Sequence, residues 1–233
     1  MKRIIEIIDR LQQGVTHATL CRAEDQRVYV VKTRKQTGSN AIISEWIAGR
    51  IGLAMGLPIP PIETLYLEPG VAQFLIQPDA AALAESPSFG SSFVDATNQF
   101  SPELNDQVPD PLRARILFFD WWVRNQDRSD GNPNLLWDAI RREIHVIDHN
   151  MAFDRDFDAA SFWEHHLFRE SRQLWDAVFK AQITKEIRRI LTCLPDYWGE
   201  LPPEWTDTGG AVTMAVIENM LREFEQPTFW SLP

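Results

Sequence analysis

Between residues 125 and 154 the chain reads NQDRSDGNPNLLW-DAIRRE-IHVIDHNMAFD, a run whose carboxylates and amides are spaced for work on a phosphoryl group. Asp127 and Asn132 fall in an irregular stretch after a predicted helix. Asp148 ends a predicted strand. Between them, 135–137 and 144–148 read as a hairpin around the turn DAIRRE. Moving a γ-phosphoryl group needs a carboxylate that orients the acceptor hydroxyl and hard oxygen ligands for Mg²⁺. Asp127 suits the first role, and Asn132 and Asp148 suit the second. A hairpin can return both loops to one mouth. Asp and Asn also favour turns because their side chains bond the local backbone, so a single one says little; three at this spacing favour chemistry. Asn134 rivals Asn132 as a metal ligand, with the spacing from Asp127 favouring Asn132. Arg128 either supports the loop or faces solvent.

The complementary half lies upstream. Lys32 ends a predicted strand in VYVVKT, where its ammonium would neutralise nucleotide phosphates, and Glu45 on the following helix would hold it in place. Asp127, Lys32 and Glu45 form the candidate catalytic set. Gly14 to Thr19 read as a turn offering backbone N–H groups to phosphates, although the stretch lacks a full GxGxxG. Gly14, Thr16 and Gln77, with Lys32, are the candidate residues for contacting ATP.

These side chains need elements to hold them. Residues 3–10 (RIIEIIDR) suit a strand or a short amphipathic helix. Two strands follow, joined at Glu24-Asp25-Gln26, with Val28, Val30 and Lys32 on one face and Tyr29 and Val31 on the other. The spacing of Ile43, Ile47, Ile51 and Ala54 predicts a helix over 40–55, capped by Ser39 or Asn40 and stopped at Gly56. Strands are predicted at 62–67 and 71–77 around Pro69-Gly70, giving a mostly antiparallel sheet with one helix. From about 79 to 110 Ser, Pro, Asp and Asn read as a connection with short helices, and Ser88, Ser91 and Ser92 as flexible-loop serines. Downstream, helices are predicted at 110–123, 159–181, 184–194 and 209–225. Trp121 and Trp122 are read as core, and His165 and His166 as helix surface. The tail PTFWSLP packs by its aromatics or lies free.

Composition narrows the classes of partner. Lys and Arg number 23 against 33 Asp and Glu, a formal net charge of −10. That balance disfavours nucleic acid, whose binders neutralise phosphates with basic patches. Cys21 and Cys193 stand far apart with no CxxC, which fits a reducing cytoplasm. No apolar run suits a signal peptide or a spanning helix, so no membrane partner is expected. The histidines show no HExxH or Cys/His spacing for a transition metal.

The segments GVTHATL…YVVKT, SEWIAGRIGLAMGLPIPP, SFGSSF, FDWWVRNQDRSDGNPNLLW and VIDHNMAF resemble the HipA-like kinases, a bacterial family related in fold to protein kinases and phosphoinositide kinases. The likeness runs from about residue 10 to 156 and recurs near LPPEW (201–205). It resembles a short form without an extra N-terminal module. It implies an α+β, two-lobed protein-kinase-like fold: a small antiparallel-sheet N-lobe with one helix over 1–78, and a mainly helical C-lobe over 79–233. It implies an ATP- and Mg²⁺-dependent kinase with Asp127 as catalytic aspartate, Asn132 and Asp148 as metal ligands and Lys32 on phosphate. Protein Ser/Thr phosphorylation is the activity known for the family's toxin members, which makes an antitoxin-type protein an expected partner. Alternatives are a small-molecule or lipid-headgroup kinase, whose hydroxyl acceptor would fill a defined pocket, and a nucleotide-binding pseudokinase acting as an interaction module. Ser129 stands where family members often have histidine.

Overall fold

The computed structural model describes residues 1–11, 18–207 and 210–231. Five strands, β1 (Lys2–Arg10), β2 (Thr19–Ala23), β3 (Val28–Lys32), β4 (Ile62–Tyr66) and β5 (Ser88–Ser92), close into a barrel in the order β1-β2-β3-β5-β4. The expected small, mostly antiparallel sheet is thereby redrawn as a closed barrel, because β1 also pairs parallel with β4 through Lys2–Leu65 and Arg3–Tyr66. The cause lies in KRIIEIIDR, which forms a nine-residue strand with irregular register at Ile4/Glu6 and Ile7/Asp9. Such bulges bend and twist a strand, so its ends can reach two different neighbours.

Alternation along β2 and β3 fills the barrel, with Cys21, Ala23, Tyr29 and Val31 buried beside Ile4 and Leu65. β5 is the strand the sequence conceals. SFGSS looks like a loop, yet a Cβ on Gly90 would lie 2.4 Å from Leu65 Cδ1, so the wall of this narrow barrel needs a residue without a side chain there. The strand expected at 71–77 is absent. Pro69–Ala72 is a helical turn, after which Phe74 and Ile76 are exposed, so an apolar alternation that could pass for a strand finds no partner strand. Gln77 is exposed in the turn that leads into the short helix Ala80–Glu85, its carbonyl accepting from the Ala80 amide at 3.1 Å.

Helix α1 (Ser39–Ala54) leaves the barrel after a single turn, Arg34–Thr37, that Thr33 caps reciprocally with Gln36. Gly38, at φ 84°, carries the chain from that turn into α1, so neither Ser39 nor Asn40 caps it as expected; the N-cap is Gly38 without a side-chain bond. α1 is buried nearly all round, from Ile42 to Gly49 without a break. That burial places it between the barrel and the helices that follow.

Those are α2 (Asp110–Trp122), α3 (Ala159–His165), α4 (Ala177–Gly199) and α5 (Met214–Leu221), with a second sheet of β6 (Thr97–Gln99), β7 (Leu135–Asp138) and β8 (Glu143–Val146). The helices expected at 159–181 and 184–194 are redrawn: the first stops at His165, and α4 runs unbroken across 182–183 from its Asp176 cap. The tail is anchored, with Phe229 buried and Trp230 stacked on Phe118 at 5.8 Å. Cys21 and Cys193 are free thiols. Among the described residues no helix is long and apolar enough to cross a membrane.

Candidate active site

Lys32 is the last residue of β3, and at that point the strand alternation turns its side chain out of the barrel toward α1. There the ammonium meets the Glu45 carboxylate directly and donates to Asp148 Oδ1 at 2.9 Å. Burial alone would lower the pKa of this lysine. The two carboxylates reverse that and hold it well above its usual range. Asp148, in turn, is held low against burial by Lys32. Its own side chain keeps 29% of its surface exposed, so the site is reachable from outside.

The loop after Asp148 is fixed at both edges. Glu45 Oε2 accepts from the His149 amide at 2.9 Å, and Ser44 Oγ donates to the Ala152 carbonyl at 2.8 Å, so consecutive residues of α1 grip it from one side. From the other side the Phe153 amide donates to the Val123 carbonyl at 2.7 Å. Asp148 (φ 60°) and Phe153 (φ 61°) are both left-handed, a backbone that non-glycine residues keep only when their surroundings enforce it. His149 is buried against Phe119 at 5.5 Å with neither ring nitrogen hydrogen-bonded, and burial lowers its pKa to about 3.

The loop carrying Asp127 hangs from a buried ion pair that the sequence reading missed. Arg128 is fully buried: its Nε donates to Asp120 Oδ2 at 2.7 Å, and its Nη1 reaches the carbonyls of Pro133 and Asn134. Asp120 also accepts from Asn125 at 2.9 Å and from His166 Nε2 at 3.0 Å. Because the Phe168 amide donates to His166 Nδ1, the proton sits on Nε2, where it faces the carboxylate. Burial pushes the Asp120 carboxyl up, but Arg128 and His166 outweigh it and hold the group at about 2.

His166 is therefore interior, which corrects its expected place on a helix surface; only His165 is exposed. To reach Asp120 the chain leaves α3 and bridges Ser129, while the Leu167 amide donates to the Arg128 carbonyl at 3.1 Å. A visible signal was Asp120 itself, a carboxylate inside the otherwise apolar run ILFFDWW, where an unpaired charge is costly.

With its base fixed in this way, the loop presents Asp127. Asn134 Nδ2 donates to Asp127 Oδ2 at 2.8 Å, and Asn132 Nδ2 lies 3.4 Å from the Asp127 carbonyl. Asn134 is tied to the segment before Asp148 as well, because the Ile147 amide donates to its carbonyl at 3.1 Å; the strand expected to end at Asp148 stops at Val146, and Asp148 lies in the loop beyond it. The structure thus brings Lys32, Glu45 and Asp148 into contact, and Asp127, Asn132 and Asn134 into a second, adjoining group. Gln77 has no contact with either group among those described. Gly14 and Thr16 lie outside the described residues.

A carboxylate-flanked ammonium beside a second carboxylate on a rigid loop can hold anionic phosphates and a hydroxyl side by side. Solved structures resemble the chain in fold. One is a Helicobacter pylori proinflammatory kinase, CtkA, 13% identical, with a TM-score of 0.50 over 94% of this chain and 92% of that one. No curated protein shows significant similarity. The sequence model of the HipA-like kinases matches residues 4–233, nearly the whole length, and the chain belongs to that family of kinases.

Proposed function

We propose that the chain transfers the γ-phosphoryl group of ATP to a serine or threonine hydroxyl of a protein, with Mg²⁺ as cofactor, in a two-lobed protein-kinase-like fold. The observation that carries this reading is Lys32 held between Glu45, 13 residues away in sequence, and Asp148, 116 residues away. Lys2 also meets two carboxylates, Asp25 and Glu63, but more openly; Lys32 is buried against Glu45, and the partly exposed Asp148 leaves the ammonium poised at an open mouth.

Mg·ATP supplies the transferable group and the positive charge that offsets its phosphates. Asp148 and Asn132 would hold the metal, since a carboxylate and an amide oxygen suit a hard cation. Among the described residues no group of three or more His, Cys, Asp or Glu could hold a metal by itself. That donor set fits a cation whose remaining ligands are phosphate oxygens and water. Lys32, protonated throughout the neutral range, would donate to phosphate oxygens while Glu45 keeps it aimed. Asp127 Oδ2 is occupied by Asn134, which leaves Oδ1 to accept a hydrogen bond from the acceptor hydroxyl and align it for in-line attack.

The test is γ-phosphate release from Mg·ATP by the purified protein beside Asp127→Ala, with mass spectrometry for phosphorylated protein. Turnover that falls by roughly 10² or more in the variant, with ATP affinity retained, is expected. Equal turnover in both proteins would remove Asp127 from its role. Binding of ATP without any turnover would favour a pseudokinase.

A further inference from the structure

On the outward side of α4, Lys180, Thr184, Lys185 and Arg188 recur at helical spacing and share one face. With Trp230 they line a groove of about 400 Å³ between α4 and the C-terminal turn Pro227–Trp230. The molecule carries a formal charge of −10, yet among the described residues no acidic side chain lines this groove. Glu186, the one carboxylate within the stripe's sequence, turns away to Arg115 at 2.9 Å. Lys180, Lys185 and Arg188 have no ion-pair partner among the described residues; Lys180 sits only over the Trp230 ring, 5.7 Å from its centroid. Like charges three residues apart on a helix, such as Lys185 and Arg188, repel and weaken it. The indole is held firmly, stacked on Phe118 and donating through Nε1 to the Phe224 carbonyl at 2.8 Å. A rigid aromatic wall beside uncompensated cations offers one apolar contact and two or three charge contacts.

We propose that this groove docks an acidic segment of a partner protein, with an apolar side chain against Trp230 and carboxylates on Lys185 and Arg188. Charge complementarity argues for a short peptide over a nucleic acid. A polyanion would meet the field of the whole acidic molecule along its length, whereas a short segment senses charges within a Debye length of about 8 Å. None of the lining residues belongs to the loops at 125–134 or 147–153, so docking here is separable from phosphoryl transfer.

The experiment is fluorescence anisotropy on the full chain, using three labelled probes at physiological salt. One is a short peptide of glutamates flanking a phenylalanine, the second its lysine counterpart, and the third a single-stranded oligonucleotide. Saturable binding of the acidic peptide is expected, weakened by roughly tenfold or more in Lys185→Glu/Arg188→Glu. These residues are exposed, so circular dichroism and ATP turnover of the double variant should match the parent. Binding that survives the charge reversal, absence of saturable binding, or tighter binding of the oligonucleotide would each overturn the proposal.

Discussion

At Asp127 two asparagines divide the work by their hydrogen bonds. Asn134 gives its side-chain amide to the Asp127 carboxylate, while the Asn132 side chain donates to the Asp127 backbone carbonyl and keeps its oxygen available. Asn132→Ala should therefore raise the half-saturating Mg²⁺ concentration by roughly tenfold or more. Asn134→Ala should instead lower kcat on the order of tenfold at saturating Mg²⁺, because an untethered carboxylate samples unproductive rotamers. Metal titrations of both variants decide it; the opposite pattern would exchange the two roles. Arg128 is a stability residue at the same scale. With Asp120 fully buried, Arg128→Leu leaves an uncompensated charge and should cost roughly 3–5 kcal/mol, read from denaturant midpoints. A loss under about 1 kcal/mol would mean that His166 and Asn125 together satisfy Asp120.

Among elements, α1 is the part that links the barrel to the chemistry. Its Glu45 faces Lys32 on β3 while its Ser44 holds the loop after Asp148, so a shift of α1 disturbs both halves of the site together. Ser44→Ala leaves the buried Ala152 carbonyl unpaired and should destabilise the protein by about 1–3 kcal/mol. The same variant should speed amide exchange at Phe153, and an unchanged exchange rate there would remove Ser44 from any positioning role. In the barrel, Gly90→Ala drives a methyl into Leu65 and should cost roughly 1–3 kcal/mol, and Gly90→Ala with Leu65→Ala should cost less than the sum of the two single changes, because the methyl then enters the space the leucine vacates. Thermal melts of the single and double variants measure that coupling.

For the whole molecule, the buried titratable groups set an acid limit. Asp120 has a folded pKa near 2 against 3.8 for the free side chain, a depressed value, so its stabilisation is complete above pH 3.8 and is lost as pH falls toward 2. That contribution is on the order of 2 kcal/mol. His166 is also depressed, by burial first, so the unfolded chain takes up its proton more readily below about pH 6.5. Stability should accordingly decline in two stages, first below pH 6.5 and again below pH 4. Urea midpoints measured from pH 8 to pH 3 would show it. His149, lowered to about 3 by burial, adds to the same first stage, so His166→Asn should shrink that stage without removing it, and a midpoint constant between pH 7 and pH 5 would contradict the two buried neutral imidazoles.

Local chemistry made much of the grouping of the candidate residues legible. The spacing of Asp127, Asn132 and Asp148 around a hairpin, and a strand lysine followed by a helix glutamate, are patterns that short-range backbone geometry imposes. The helix at 39–54 and the β7–β8 hairpin were readable for the same reason. Long-range closure was not. Whether RIIEIIDR became a strand, and whether SFGSS or VAQFLIQ completed the barrel, depended on partners tens of residues away; Gly90 against Leu65 and the parallel β1–β4 pair decided it. His166 read as helix surface because periodicity is blind to a buried carboxylate on another element. Only the tertiary structure brought it to Asp120, where the cost of burying that charge with Arg128 makes every hydrogen bond count.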